Sequence, residues 1–308
     1  MKIYDINNFN KYSNSIITIG IFDGIHIGHQ KILQKIKLIS QKKKKKNILI
    51  TFWPHPKLIL FNNYALKLLN SFKEKIHTLS SHGIDILLKI NFTKKFSQIN
   101  YLDFIKKVLI NKIKLEILII GYDSKFGKNK DSNFKKLKLY SFLVKFKLNK
   151  IIPITTMGNI ISSTKVRKIL SLGAVELANK YLGRPYLITG NIINGMKLGR
   201  KINFPTINLK TNFINKLIPC NGVYAVIIIY NNIYYKGIMN IGFKPTFNSL
   251  LKTIESYIIN FKKNIYQNNV IIFFLNKIRN EIRFNSLKSL KNQIKKDKKK
   301  ALTLLSFL

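Results

Sequence analysis

Two imidazoles, His26 and His29, stand three residues apart with Gly28 between them in the segment Phe22-Asp23-Gly24-Ile25-His26-Ile27-Gly28-His29-Gln30. Imidazoles can donate hydrogen bonds to phosphate oxygens, and Gly24 and Gly28 let a ligand approach the backbone where a Cβ would block it. The segment follows an apolar run, Ile16 to Ile21, that reads as a buried strand. It precedes Gln30 to Ile39, whose apolar positions recur at helical spacing. The histidines therefore fall where a strand turns into a helix. A helix N-terminus presents unpaired N–H groups and the positive end of a dipole, which suits phosphate. Taken alone, an H-x-G-H equally fits two ordinary first-turn residues, because short motifs match by chance.

Three further stretches of the first half carry chemistry. Ile161-Ser162-Ser163-Thr164-Lys165-Val166-Arg167 sets three hydroxyls at a helix start with two cations behind them. Such a turn can hold a triphosphate and stabilise departing pyrophosphate, or it is a plain serine cap with surface cations. Thr51-Phe52-Trp53-Pro54-His55-Pro56 is a rigid strand-ending turn by itself. Gly121-Tyr122-Asp123-Ser124-Lys125-Phe126-Gly127 follows another strand.

The run from Gly20 to Gln30 resembles G-x-F-D-G-x-H-x-G-H-Q of the FAD synthetases, a branch of the nucleotidyltransferase superfamily. The other stretches are similar to that family's I-S-S-T-x-x-R, T-F-x-P-H-P and G-x-D-F-x-F-G. The resemblance implies that His26 and His29 act on the phosphates as catalytic groups. It implies that Gly24, Gly28, Ser162, Ser163, Thr164 and Arg167 bind ATP, and that Pro54, Pro56, Asp123 and Phe126 face the flavin. Ser124 stands where the family has an aromatic, Ser132 where it has glycine, and Asn159 where it often has arginine.

The second half opens with Leu182-Gly183-Arg184-Pro185-Tyr186 and continues into a basic, glycine-containing run from Gly190 to Leu209. Gly195 and Gly199 with their basic neighbours could wrap phosphates through backbone amides, or simply form hairpin turns. Thr206 and Asn208 are two apart on an extended segment and point to one face, where a hydroxyl and an amide oxygen could ligate Mg²⁺ or lie exposed. This run resembles the riboflavin kinase signature G-x-x-x-G-R-x-x-G-F-P-T-A-N. Pro219–Ala225, Asn240–Phe247 and Arg279–Phe284 are similar to that family's P-x-x-G-V-Y-A, N-I-G-x-x-P-T-F and R-x-E-x-x-F. By resemblance Gly195 and Gly199 hold ATP, Thr206 and Asn208 hold the metal, Arg279 borders the flavin, and Glu255 is the base on the ribityl 5′-hydroxyl. Asn203 replaces a family glycine, Ile207 an alanine and Tyr257 a histidine. Asparagine tolerates left-handed backbone, so the turn at Asn203 is expected to persist; Ile207 is expected to add bulk near the metal ligands.

The chain has 308 residues, which suggests two domains at roughly 150 residues each. Net charge is 55 − 12 = +43. The lysines are spread along the chain beside abundant isoleucine and asparagine, as drift toward A/T-rich codons would leave them. No specific nucleic-acid partner is therefore expected, only weak binding at low salt. One cysteine, Cys220, excludes a disulfide framework and a cysteine metal site. A polar N-terminus and the lack of a ~20-residue apolar run point to a cytoplasmic protein without membrane partners; a monomer or weak homo-oligomer is expected.

Strand and helix patterns alternate through the first half, with strands expected at 47–52, 84–90, 116–120 and 151–155, and helices at 71–80, 101–113, 134–147 and 163–170. That predicts a Rossmann-like α/β domain with a parallel sheet over residues 1–182. Six closely spaced strand patterns then predict an antiparallel β-barrel over 183–308, closed by a C-terminal helix at 286–305. Together the resemblances imply a bifunctional enzyme that makes FMN from riboflavin and FAD from FMN, with Mg²⁺ and ATP. Three alternatives remain: a chain that keeps the kinase alone, a basic RNA-binding protein on an enzyme scaffold, and a nucleotidyltransferase with another acceptor.

Overall fold

A computed structural model describes residues 1–9, 15–61, 65–122, 134–156, 158–194, 199, 203–245, 250–261, 263 and 265–306. The chain divides into two compact units, Met1–Ser162 and Ser163–Leu308.

In the first unit β1 (Lys2–Asp5), β2 (Ser15–Ile19), β3 (Asn47–Trp53), β4 (Ile86–Asn91), β5 (Leu115–Gly121) and β6 (Lys147–Ile151) form one sheet in the order β1-β4-β3-β2-β5-β6. Every neighbouring pair is parallel. Alternate residues feed two cores: Ile17, Ile19, Ile48 and Ile50 pack on one face, and Ile16, Leu49, Leu87 and Ile117 on the other. That is why these strands read as unbroken apolar runs. Helix α1 (Ile27–Lys43) covers the second face through Leu33 and Ile36. The short α2 (Pro56–Leu60) follows β3, and α3 (Phe72–Ser80) begins with a capping box between Ser71 and Glu74.

Three expectations shift. The strand expected at 151–155 is β6, four residues earlier; it is an edge strand broken by Lys147, Asn149 and Lys150, so no apolar run marks it. The preceding helix, α6 (Phe134–Leu143), ends short of Lys147, with Lys145 left-handed at φ +56°. The helix expected at 101–113 is α5 (Tyr101–Phe104) after the short α4 (Lys94–Ser97), continued by a π-helix over Ile105–Lys112. Strand β1 carries no apolar pattern and was not expected. Two short strands, β7 (Thr155–Thr156) and β8 (Asn159–Ile160), pair with each other.

The second unit starts with α7 (Ser163–Ser171) and α8 (Val175–Leu182), the latter absent from the sequence reading. Gly183 ends α8 in the left-handed region, at φ +66°. Asn179 ties α8 to the barrel: its Nδ2 donates to the Phe274 carbonyl at 2.8 Å and its Oδ1 accepts from the Tyr186 N–H at 2.7 Å. Strands β9 (Tyr186–Ile193), β10 (Thr206–Thr211), β11 (Gly222–Tyr230), β12 (Ile233–Pro245), β13 (Leu250–Ile258) and β14 (Asn269–Arg279) close an antiparallel barrel in the order β10-β13-β12-β11-β14-β9. Helix α9 (Leu287–Leu304) lays Ala301 on Val223, Ala225, Ile227, Ile238 and Ile278. A six-stranded barrel has no room for a helix inside, so this is the outer wall. Tyr224, on the opposite pleat, turns inward and packs edge-on against Phe274.

Candidate active sites

Strand β2 lies between β3 and β5, so the chain reverses direction across the sheet at its carboxyl end, the usual ligand position in such sheets. The loop Phe22–Ile25 leaves that end in an unusual backbone: φ is +49° at Phe22, +81° at Gly24 and +45° at Ile25. Each non-glycine residue there costs about 1–3 kcal/mol, so its surroundings must hold it. They do. The buried Asp23 carboxylate accepts the Leu69 N–H at 3.1 Å and the Asn70 N–H at 3.2 Å, and Gln30 Nε2 donates to the Ile25 carbonyl at 2.9 Å.

His26 is the N-cap of α1, its Nδ1 accepting the His29 N–H at 3.4 Å. In the neutral ring the proton therefore sits on Nε2. The two imidazoles stack with centroids 3.7 Å apart and planes 18° apart. A Cβ on Gly28 would stand 3.1 Å from His26 Nδ1, so this glycine clears space for the capping ring. His29 Nδ1 is buried without a hydrogen-bond partner. Burial, then the neighbouring His26 and the charge on Lys75, hold the His29 ring well below the usual histidine range. It is neutral at pH 7 and can act as an uncharged donor.

Pro54 and Pro56 follow β3, the neighbour of β2, with His55 capping α2 between them. Thr51 Oγ1 donates to the Ile21 carbonyl at 3.2 Å and joins the two strand ends. The structure thus brings Gly24, His26, Gly28, His29, Pro54 and Pro56 to one edge. Asp123, Ser124, Phe126 and Ser132 lie outside the described residues. Ser162 ends the first unit; Ser163, Thr164 and Arg167 open α7 in the second, with Thr164 exposed. Lys75 of α3, which no motif marks, is 1 % exposed, and its Nζ donates to the Ile21 carbonyl at 2.7 Å. Burial pushes this ammonium down to about 8, opposed by Asp23.

In the barrel, strand register makes the second site. Asn208 pairs directly with Glu255, and Thr206 with Tyr257. On the other side of β13, Glu255 faces Asn240; Asn240 faces Val223, and Val223 faces Arg279. Directly opposed residues share a face. Val223 packs under α9, so Asn208, Glu255, Asn240 and Arg279 all stand on the outer wall in one lateral row. Four strand spacings of ~4.8 Å give that row about 19 Å of arc. Asn240 was not singled out from sequence; only the register shows it beside Glu255. Ile207 pairs with the buried Ser256, on the pleat opposite Thr206 and Asn208. Its bulk therefore turns away from Thr206 and Asn208, contrary to expectation. Tyr257 packs edge-on to Phe204 at 5.2 Å, with Lys298 Nζ of α9 5.9 Å from its ring.

Asn203 is left-handed at φ +64°, as expected of a residue in a glycine's place. Gly199 accepts the Phe204 N–H at 2.8 Å across the same turn, and a Cβ on it would collide with the Phe204 carbonyl oxygen. Gly195 lies outside the described residues. Arg279 is fully engaged: Nε donates to both Asp297 oxygens at 3.0 Å, Nη2 to Oδ2 at 2.8 Å and Nη1 to the Asn280 carbonyl at 2.9 Å.

Two family models match, FAD synthetase over residues 9–165 and riboflavin kinase over residues 182–305. A bifunctional riboflavin kinase/FMN adenylyltransferase of Buchnera aphidicola subsp. Acyrthosiphon pisum is 42% identical over 300 residues, 96% of this chain and 94% of the relative. Proteins of the same name from Haemophilus influenzae and Escherichia coli K12 are 34% and 31% identical, over 91% and 92% of this chain and 91% and 90% of theirs. A Streptococcus pneumoniae crystal structure titled a macrolide-efflux protein superposes with a TM-score of 0.89 at 26% identity, covering 97% of this chain and 98% of that one. Among the described residues no helix is long and apolar enough to cross a membrane. With both family models in sequence order and relatives matched almost end to end, this chain belongs to the bifunctional riboflavin kinase/FMN adenylyltransferase family.

Proposed function

We propose that this chain phosphorylates riboflavin to FMN in the barrel half and adenylylates FMN to FAD in the parallel-sheet half. The observation that carries the reading is the opposition of Asn208 and Glu255 across one ladder, in the same chain as a histidine-capped helix at a sheet switch point. For the kinase step, Glu255 takes the proton of the ribityl 5′-hydroxyl as that oxygen attacks the γ-phosphorus of ATP, and ADP leaves with the electrons of the broken P–O bond. Thr206 and Asn208 offer hard oxygen donors on one face, which suits Mg²⁺. When bound there, the ion would neutralise phosphate charge. Gly195 and Gly199 flank the phosphates, and Arg279, gripped by Asp297, borders the flavin.

For the adenylyl step, an FMN phosphate oxygen attacks the α-phosphorus of ATP and pyrophosphate leaves. His26 and His29 donate hydrogen bonds to phosphate oxygens, with Gly24 and Gly28 keeping the approach open. Ser162, Ser163, Thr164 and Arg167 hold the triphosphate; Pro54, Pro56, Asp123 and Phe126 face the flavin. The functional division is 1–182 and 183–308. The enzyme works in the cytoplasm on small molecules, as a monomer or weak homo-oligomer, without a specific nucleic-acid partner.

The test is to incubate the full chain with riboflavin, ATP and Mg²⁺ and separate the flavins over time. FMN first and FAD after it is the expected result. FMN without FAD removes the adenylyl half of the reading. No product from folded protein overturns both halves and favours the basic RNA-binding alternative.

A further inference from the structure

Lys75 is a buried cation that neither family motif nor the reactions above use. Its Nζ donates to the Ile21 carbonyl at 2.7 Å and lies 3.4 Å from Thr51 Oγ1 and 5.4 Å from the centre of the Trp53 ring. Ile21 is the residue at which the left-handed Phe22–Ile25 loop begins, and Thr51 reaches the same carbonyl from β3. One ammonium thus joins α3, the end of β3 and the start of the loop that carries His26. An apolar side chain could fill the same volume without the cost of burying a charge. The cation is placed where it can do something besides packing.

Resting on the adenylyl reading above, we infer that Lys75 is a positioning residue for FAD formation: its ammonium fixes the Ile21 carbonyl and so sets the loop that presents His26 and His29. The titratable groups that face it are Asp23 from the loop and the neutral His29 at the start of α1. Its charge disfavours a second cation at His29 and adds positive potential where phosphate would bind. That potential is lost as the ammonium deprotonates near pH 8.

The test uses the full chain, wild type, Lys75→Met and Lys75→Arg, with FMN plus ATP and with riboflavin plus ATP, from pH 6 to 9.5. Wild-type FAD formation is expected to decline above about pH 8. Lys75→Met should lower its kcat about 100-fold, the scale of a misplaced catalytic group, and abolish that limb. Lys75→Arg should restore most of the rate and carry it to higher pH, because guanidinium stays charged. Urea unfolding followed by circular dichroism reports that each variant folds, and riboflavin phosphorylation, in the other unit, should not change. FAD formation by Lys75→Met at the wild-type rate with the wild-type pH limb overturns the inference. If the wild type forms no FAD, the adenylyl reading fails by itself. A histidine-ring NMR titration then decides about Lys75: His29 must titrate at higher pH in Lys75→Met than in wild type, and an unchanged titration overturns it. In Lys75→Arg the retained cation should leave that titration near the wild-type value, so an Arg variant behaving like Met overturns it as well.

Discussion

Asn208 of β10 and Glu255 of β13 are directly opposed partners in an antiparallel ladder, with Asn240 of β12 on the far side of the glutamate. Opposed Cβ atoms in such a pair lie about 4.5–5.5 Å apart. The amide proposed to ligate Mg²⁺ and the carboxylate proposed as the base are thereby held on one rigid surface, with neither on a loop. A group on a rigid sheet loses little rate to disorder, so its removal should show as lost chemistry with little loss of binding.

Glu255→Gln keeps the shape and removes the carboxylate proposed as the base. FMN formation should fall about 10²- to 10⁴-fold with riboflavin KM little changed. FAD formation from supplied FMN should be unaffected, because His26 and His29 belong to the other unit. Separate assays of the two steps check this; equal losses in both would contradict it.

Arg279 and Asp297 form a forked ion pair with side chains 17 % and 4 % exposed. Gln293 Nε2 also donates to Asp297 Oδ1 at 2.8 Å. Asp297→Ala leaves the guanidinium without its partner in a mostly buried setting. Urea unfolding should show a loss of about 3 kcal/mol, the lower end of values for breaking a buried pair. Replacing both partners by apolar residues should recover much of it. A single mutant as stable as wild type would show the pair to be idle.

The elements were legible wherever local pattern and burial agree. Ile16–Ile19 and Asn47–Phe52 are covered on both faces, so they read as apolar runs; β6 and β1 lie at the sheet edges and escape that signal. The place of the histidines at a strand-to-helix turn was legible because both flanking patterns are local, and Asn203 because its backbone demand is local too. The lateral row through Asn208, Glu255, Asn240 and Arg279 depends on register between strands far apart in sequence, and no spacing reveals it. Lys75 looks like any helical lysine until the loop it supports is in place. Nothing along the chain announces Asp297 as the partner of Arg279.

Gly28→Ala tests the space around the capping ring. The new Cβ would stand 3.1 Å from His26 Nδ1 and 3.2 Å from Cε1, so the ring must move. A displaced ring loses the cap on the His29 N–H, a change of about 1 kcal/mol in stability. FAD formation should drop at least tenfold while FMN formation holds. Thermal unfolding and the two flavin assays measure both parts.

His29 makes the first unit sensitive to acid, and the direction follows from its lowered pKa. Its unfolded-state value is the ordinary 6.5, and the folded value lies well below it. Between the two, the unfolded chain binds a proton that the folded chain does not. Stability therefore rises with pH across that window, is fully present above about 6.5 and is lost as pH falls toward the folded value, by up to about 1.4 kcal/mol per pH unit. Urea unfolding of the full chain at pH 7, 6 and 5 should show this decline. His29→Gln removes the titrating group and should flatten that part of the profile. His26→Gln should leave a slope, because burial is the largest cause of the His29 shift and remains. A wild-type profile no steeper than that of His29→Gln would mean that His29 titrates in the folded state as it does in an unfolded chain.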